Sequence, residues 1–349
     1  MFSSSLGAAG RLSSFLLAAL VAGDIAFAQS RFATAVVDYT PGPSANPSYV
    51  DPVRALGGPL GGGFNNGSLD VVALGVGGEL TLGFQVTLVD GPGADFTVSE
   101  NGFVFGSPTS VFAEVTFVEA STDGVVFARF PTRYAGPMGP LPAFGTSPMG
   151  TFSGLCGGLP GLANVASNTV DPFDPLVSGG ESFDLADLAN DPLVTSGAVD
   201  LNDVNYVRII DVQEGAWLDS FGNLIWDHGG ANGSADIDAI SVIHHAGNVI
   251  ANSPKVDLAI DAQGYLLLEL SDANGFLDLD LSTLSVSENL QPSGFGAIRP
   301  LLKLFQRTPQ GVILRSKLPI VGSGLQEVLG ISIRDQAGNV SADQISLPG

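Results

Sequence analysis

Carboxylates, an asparagine and three glycines crowd the stretch Asp90–Phe103, DGPGADFTVSENGF, around one short apolar alternation. Segments of this kind serve three chemistries: a catalytic carboxylate pair, the oxygen shell of a hard cation, or an acidic turn held by hydrogen bonds and an ion pair. Strand alternation turns Phe96 and Val98 inward and takes Glu100 with them. A carboxylate carried inward needs a partner. Arg208, in YVRIID, shares a strand face with Tyr206 and Ile210 and is the expected partner, as a bidentate pair. Calcium is the other expectation, since it takes roughly six to eight oxygens from carboxylates, amides and carbonyls on irregular loops. Asp90, Asp95, Asn101, Asp184, Asp187, Asp236 and Asp238 are the candidates to supply them.

Other chemistry has little to stand on. His244 and His245 are adjacent at a strand end, so they face opposite ways and do not share one metal. His228 sits in a turn-like stretch, and Cys156, the only cysteine, lies in a glycine-rich loop without a paired base. A single cysteine excludes a disulfide framework. No nucleophile elbow, zinc-protease helix or phosphate-binding loop is present. An extracellular glycosidase using paired carboxylates remains the catalytic alternative, although no pair has a special claim. A second acidic cluster, SDANGFLDLD, lacks the final glutamate of an EF-hand loop and reads as a β-turn at Asn274-Gly275.

The elements that must position these residues are strands. In ELTLGFQVTLV, Leu80, Leu82, Phe84, Val86 and Leu88 fall on one face, and VFAEVTFVEA alternates in the same way. Ser121–Gly124 closes a hairpin onto VVFARF, and VNYVRIIDV and IDAISVI complete the acidic region. Between them, residues 134–175 form a long Gly/Pro-rich loop. Its Phe144, Phe152, Leu155 and Leu162 predict an ordered loop packed on the sheets. The one helix-like piece is SFDLADLAND, with Ser182 as its cap.

Residues 1–28 read as a secretory signal, with Arg11, the run FLLAALVAG and an Ala-x-Ala end before Gln29. No later apolar run reaches the ~18 residues of a membrane span. The formal net charge is −22, and it is uneven: residues 29–250 carry 24 acids and 5 bases, residues 251–349 only 10 and 7. The acidic part will repel nucleic acid and anionic lipid. The pattern of strands restarts at Lys255, so two domains are expected, 29–250 and 251–349. Limited proteolysis is expected to cut between Ala246 and Lys255, leaving two stable fragments; two fragments that fold only together would count against this boundary.

In order, GVGGELTLGFQVTLVDGPGADFTVSENGF, FAEVTFVEASTDGVVFARF, DPFDPLVSGGESFDLADL, VNYVRIIDV and ADIDAISVI resemble a family of exported bacterial cell-surface proteins, across about residues 35–245. The resemblance implies a jelly-roll sandwich of the discoidin or galactose-binding type. Its acidic pieces fall on Asp95, Phe96, Val98, Glu100 and Asn101, on Gly179–Leu185, and on Ala235–Ala239. Glu181 stands where the family has aspartate, and Ala235 and Ile237 depart from its pattern, while the carboxylates are kept. The tail, with ISIRDQAGNVS, resembles bacterial immunoglobulin-like domains. The resulting expectation is an all-β, secreted or surface-associated protein, a jelly-roll followed by a smaller immunoglobulin-like sandwich. It binds extracellular glycan or a surface protein, with calcium as a structural ion. A glycosidase-type hydrolase and a purely structural envelope protein are the alternatives.

Overall fold

The computed structural model describes residues 30–142, 144–227, 233–246, 254–272, 279–288, 291–294, 302–307, 311–319, 327–335 and 340–347. The expected signal segment, His228, Asn274 and most of the expected linker lie outside these. The acidic region opens with β1 (Ala33–Thr40), β2 (Val72–Ala73), β3 (Glu79–Leu88), β4 (Phe96–Glu100) and β5 (Phe103–Val104). It continues through β6 (Ser110–Phe112), β7 (Thr116–Ser121), β8 (Ala128–Arg129), β9 (Arg133–Tyr134) and β10 (Ser147–Pro148). β11 (Phe152–Ser153), β12 (Leu155–Cys156), β13 (Glu181–Phe183), β14 (Val204–Asp211) and β15 (Asp236–Val242) complete it.

Two antiparallel sheets dominate, in the orders β1-β3-β14-β7-β12 and β13-β4-β15-β2. Leu80, Leu82, Val118, Val207 and Ile209 of the first share one core with Phe96, Val98, Ile240 and Val242 of the second. Inward residues from both sheets filling one layer make a sandwich. The expected hairpin is present: β7 pairs with β8, and Gly124 takes φ +75° in the turn.

The first sheet is covered on its outer side as well. Val115, Phe117, Ile210 and Val212 pack there under Tyr134, Leu155 and Ile225, which come from the long loop and the segment after β14. Phe152 and Leu162 pack inward as expected, whereas Phe144 does not and is 62% exposed. The helix-like piece is also shorter than its pattern predicts. Ser182 lies in β13, and Asp184, not Ser182, caps a single 3₁₀ turn over Leu185–Leu188. Among the described residues no helix is long and apolar enough to cross a membrane.

The remaining strands are β16 (Lys255–Ile260), β17 (Leu266–Ser271), β18 (Leu279–Glu288), β19 (Gln291–Gly294), β20 (Leu302–Arg307), β21 (Gly311–Ser316), β22 (Glu327–Asp335) and β23 (Val340–Leu347). They form two four-stranded antiparallel sheets, β16-β17-β21-β20 and β19-β18-β22-β23. Leu258, Leu268 and Leu270 share a core with Leu284, Ile331 and Ile333. The protein is therefore an all-β assembly of sandwiched sheets, and its described residues form no closed barrel.

The partner of Arg208 is not Glu100. Arg208 sits directly opposite Glu119 in the β14–β7 ladder, and its Nε donates to Glu119 Oε2 at 2.6 Å. Glu100 belongs to β4, in the other sheet. Glu119 also accepts from Arg129 Nε at 2.8 Å and is only 4% exposed, so one carboxylate holds two arginines across three strands. Glu119→Ala is expected to lower stability by about 3 kcal/mol, because breaking one side of a buried pair leaves charge uncompensated. Urea denaturation would measure it; a midpoint unchanged from the parent would rule the pair out as a stabilising element.

Candidate functional site

The carboxylates gather at the two ends of β4. This strand has Asp95 before it and Asn101 after it, and its neighbours β13 and β15 both run antiparallel to it. Residues that follow β13 and β15 therefore meet Asp95, and residues that begin them meet Glu100. The two ends are roughly 13 Å apart at about 3.3 Å per residue, so no single ion reaches both. The seven candidate calcium ligands consequently do not form one shell. Asp90, Asp95, Asp184 and Asp187 belong to one end; Asn101 and Asp236 belong to the other.

At the first end, carboxylate oxygens of Asp90, Asp95 and Asp184 lie within 4.8 Å of one another. Asp95 is fully buried and well partnered. Its Oδ1 accepts from Gly91 N at 2.8 Å and lies 2.8 Å from His244 Nδ1, while Oδ2 accepts from Leu185 N at 2.7 Å. The stretch that opened the sequence is thus a pinned turn. Gly91 has to be glycine, since a Cβ there would stand 2.4 Å from the His244 ring. Burial and the nearby Asp95 raise Asp184 from an ordinary 3.8 to about 8, and burial raises Asp90 and Asp187 as well.

The second end is denser. Three consecutive backbone N–H groups are each clasped by a carboxylate from a different strand or loop. Ser234 N donates to Glu114 Oε1 at 3.1 Å, Ala235 N to Asp211 Oδ1 at 2.8 Å, and Asp236 N to Glu100 Oε1 at 3.2 Å. Asp227 Oδ2 accepts from Val115 N at 2.8 Å, and Glu181 Oε2 from Gly157 N at 2.9 Å. Asn101 Oδ1 accepts from Ser68 N, and the Asn101 side chain also hydrogen-bonds Asp236. Asp238 accepts from Leu60 N with both oxygens, at 3.0 and 2.9 Å, which ties it to a separate loop.

Burial first, and then mutual repulsion, pushes Glu100, Glu114 and Asp211 well above the usual carboxylate range. Burial takes Glu181 to about 7, Asp236 to about 6 and Asp238 to about 7. The acidic region has five arginines and no lysine. Arg31 donates to the carbonyls of Val242 and Ile243, Arg54 pairs with Asp70, Arg129 and Arg208 hold Glu119, and Arg133 lies over Phe221. None makes an ion pair with Glu100, Glu114 or Asp211. Glu100 Oε2 and Asp211 Oδ2 are buried with no hydrogen-bond partner at all.

Sequence patterning places Glu100 inward and includes Asn101 and Asp236, but it misses Glu114, Asp211, Asp227 and Glu181 as members of this group.

The structure sets an aromatic group apart from the carboxylates. Phe103 stacks on Phe112 at 5.2 Å, Phe105 meets Phe103 edge-on at 6.4 Å, and Phe144 leans on Phe112 at 5.9 Å. Phe105 and Phe144 remain 50% and 62% exposed. Phe144 has φ 108°, the one positive φ outside glycine among the described residues. Val104 and Gly106, alternating with these rings along the chain, line a shallow groove of about 350 Å³ with Phe64, Asn65, Ser107 and Pro108. Trp217, by contrast, packs against Phe117. No protein-family model matches the chain, and a comparison with curated proteins finds no match.

Proposed function

We propose that the acidic region is a non-catalytic recognition module of an exported protein, a jelly-roll-type sandwich that binds neutral extracellular glycan on the aromatic ribbon of β5 and β6. The observation that carries this reading is Phe144. A non-glycine residue at φ 108° is strained by about 1–3 kcal/mol, and such strain persists where surrounding structure fixes a functional group. Here the strained residue is an exposed ring at one end of a row of four, Phe144, Phe112, Phe103 and Phe105, whose two end rings are exposed and are anchored through the buried Phe112. Contiguous exposed aromatics mark interaction surfaces, and flat rings suit the apolar face of a pyranose. The surplus of negative charge favours a neutral ligand over an acidic one. A hydrolase would need two carboxylates facing one cleft. At the second end Glu100, Glu114, Asp211 and Asp227 are buried, and the groove lining carries no carboxylate.

A glycan array probed with the mature chain is expected to retain it on neutral glycans, and Phe144→Ala or Phe105→Ala is expected to weaken that binding at least tenfold without lowering the melting temperature. Failure of the parent to bind any neutral glycan, or binding that survives both substitutions, would remove this reading.

A further inference from the structure

Glu100 Oε2 is buried, unpartnered and not alone. The position a Cβ on Gly102 would occupy lies 3.4 Å from Glu100 Oε2, 3.2 Å from the Gly157 carbonyl oxygen and 3.1 Å from that of Leu159. Three oxygens thus converge on a space that Gly102 leaves open. Neither carbonyl accepts a hydrogen bond among the described residues. The Gly157–Leu159 segment is fixed from its other side, because Glu181 takes the N–H groups of Gly157, Gly158 and Leu159. Its carbonyls are therefore held in place.

We propose that Glu100 Oε2 and the carbonyl oxygens of Gly157 and Leu159 form the protein side of a calcium site, with Glu114, Asp211 and Asp236 supplying the negative field around it. Two independent observations meet here: an orphaned buried carboxylate oxygen, and unused main-chain carbonyls aimed at the same space. Every described arginine of the region is engaged elsewhere, so the positive charge must come from solution. An all-oxygen set on an irregular loop selects a hard cation, and calcium accepts an irregular oxygen shell where magnesium demands near-ideal octahedral geometry. Water completes the shell. The ion would tie β4 in one sheet to the loop that follows β12 in the other. This site differs from the Asp90–Asp95–Asp184 group, where Asp95 already spends its oxygens on Gly91, Leu185 and His244.

The test needs calcium alone. Isothermal titration of chelator-treated protein with calcium chloride is expected to show one saturable site, with magnesium binding at least tenfold more weakly. Glu100→Gln keeps the acceptor for Asp236 N and removes the charge. It is expected to raise Kd at least tenfold while its chelated form melts no lower than the chelated parent. Gly102→Ala places a methyl among the three oxygens at a position without positive φ, and is expected to weaken calcium to the same extent. Asp184→Asn, at the opposite end of β4, is expected to leave Kd within twofold. Terbium soaked into crystals of the parent is expected beside the Gly157 and Leu159 carbonyls. No calcium response in the parent, an unchanged Kd in Glu100→Gln or Gly102→Ala, or terbium at Asp90–Asp95–Asp184 would each overturn the assignment. Glycan binding enters none of these readouts.

Discussion

Asp95→Ala is expected to destabilise the acidic sandwich by about 4 kcal/mol, among the largest losses for a single residue outside the core. The side chain is fully buried and joins three segments: the turn at Gly91, the 3₁₀ turn at Leu185 and His244 beyond β15. Each buried donor stranded by its removal costs about 1–3 kcal/mol, and bonds to a charged acceptor sit at the upper end of the usual range. Burial alone pushes the Asp95 carboxyl up, and its bonds to His244, Leu185 and Gly91 pull it back. Asp95→Asn keeps the shape and one carbonyl oxygen, so a smaller loss of about 1–2 kcal/mol is expected. Urea midpoints at constant slope would read both. If the alanine variant matched the parent, the acidic turn would be ornamental to the fold.

The limits of what alternation reveals are visible in particular residues. Leu80, Leu82, Val86 and Leu88 announce a buried strand face, and all four are buried. The Ser121–Gly124 hairpin is equally legible, because the turn chemistry and both its strands are local. Arg208 shows where this fails. That it stands on a half-buried face can be read from YVRIID, but its partner depends on β14 lying beside β7, a pairing 89 residues long in sequence. Alternation names a face and not the neighbour on it. Glu114 and Thr116 fail for another reason. They read as the polar side of a one-sided strand, yet both are buried: they alternate with Val115 and Phe117, which the long loop covers, and so share the parity of Val118 and Ala120, whose face lies against the second sheet. Glu100 falls between these cases: its burial was readable, and its company of Glu114, Asp211 and Asp236 was not, since they arrive from three other elements that meet only at one end of the sandwich.

That company sets the sign of the response to pH. In protein freed of divalent cations, stability is expected to fall as pH rises from 5 to 8, the reverse of ordinary acid unfolding. Glu181 and Asp238 are raised from 4.5 and 3.8 to about 7, and Asp236 from 3.8 to about 6. Between the ordinary and raised values the folded chain holds protons that the unfolded chain has released, so stability decreases with pH across that window. The contribution is complete below about pH 4 and is lost as pH passes through 6 and 7. Each fully titrating group gives a slope of about 1.4 kcal/mol per pH unit. Each kcal/mol of the summed loss would lower the melting temperature by roughly 2–4 °C for a sandwich of this size. Calcium changes the comparison because it can replace the protons. It competes poorly for protonated carboxylates, so added calcium is expected to raise the melting temperature little at pH 5 and strongly at pH 8, flattening the profile. Scanning calorimetry with chelator and with calcium across this range separates the outcomes. A chelated protein that gains stability from pH 5 to 8 would mean that the buried carboxylates are neutralised from within the chain, and the need for an outside cation would disappear with that result.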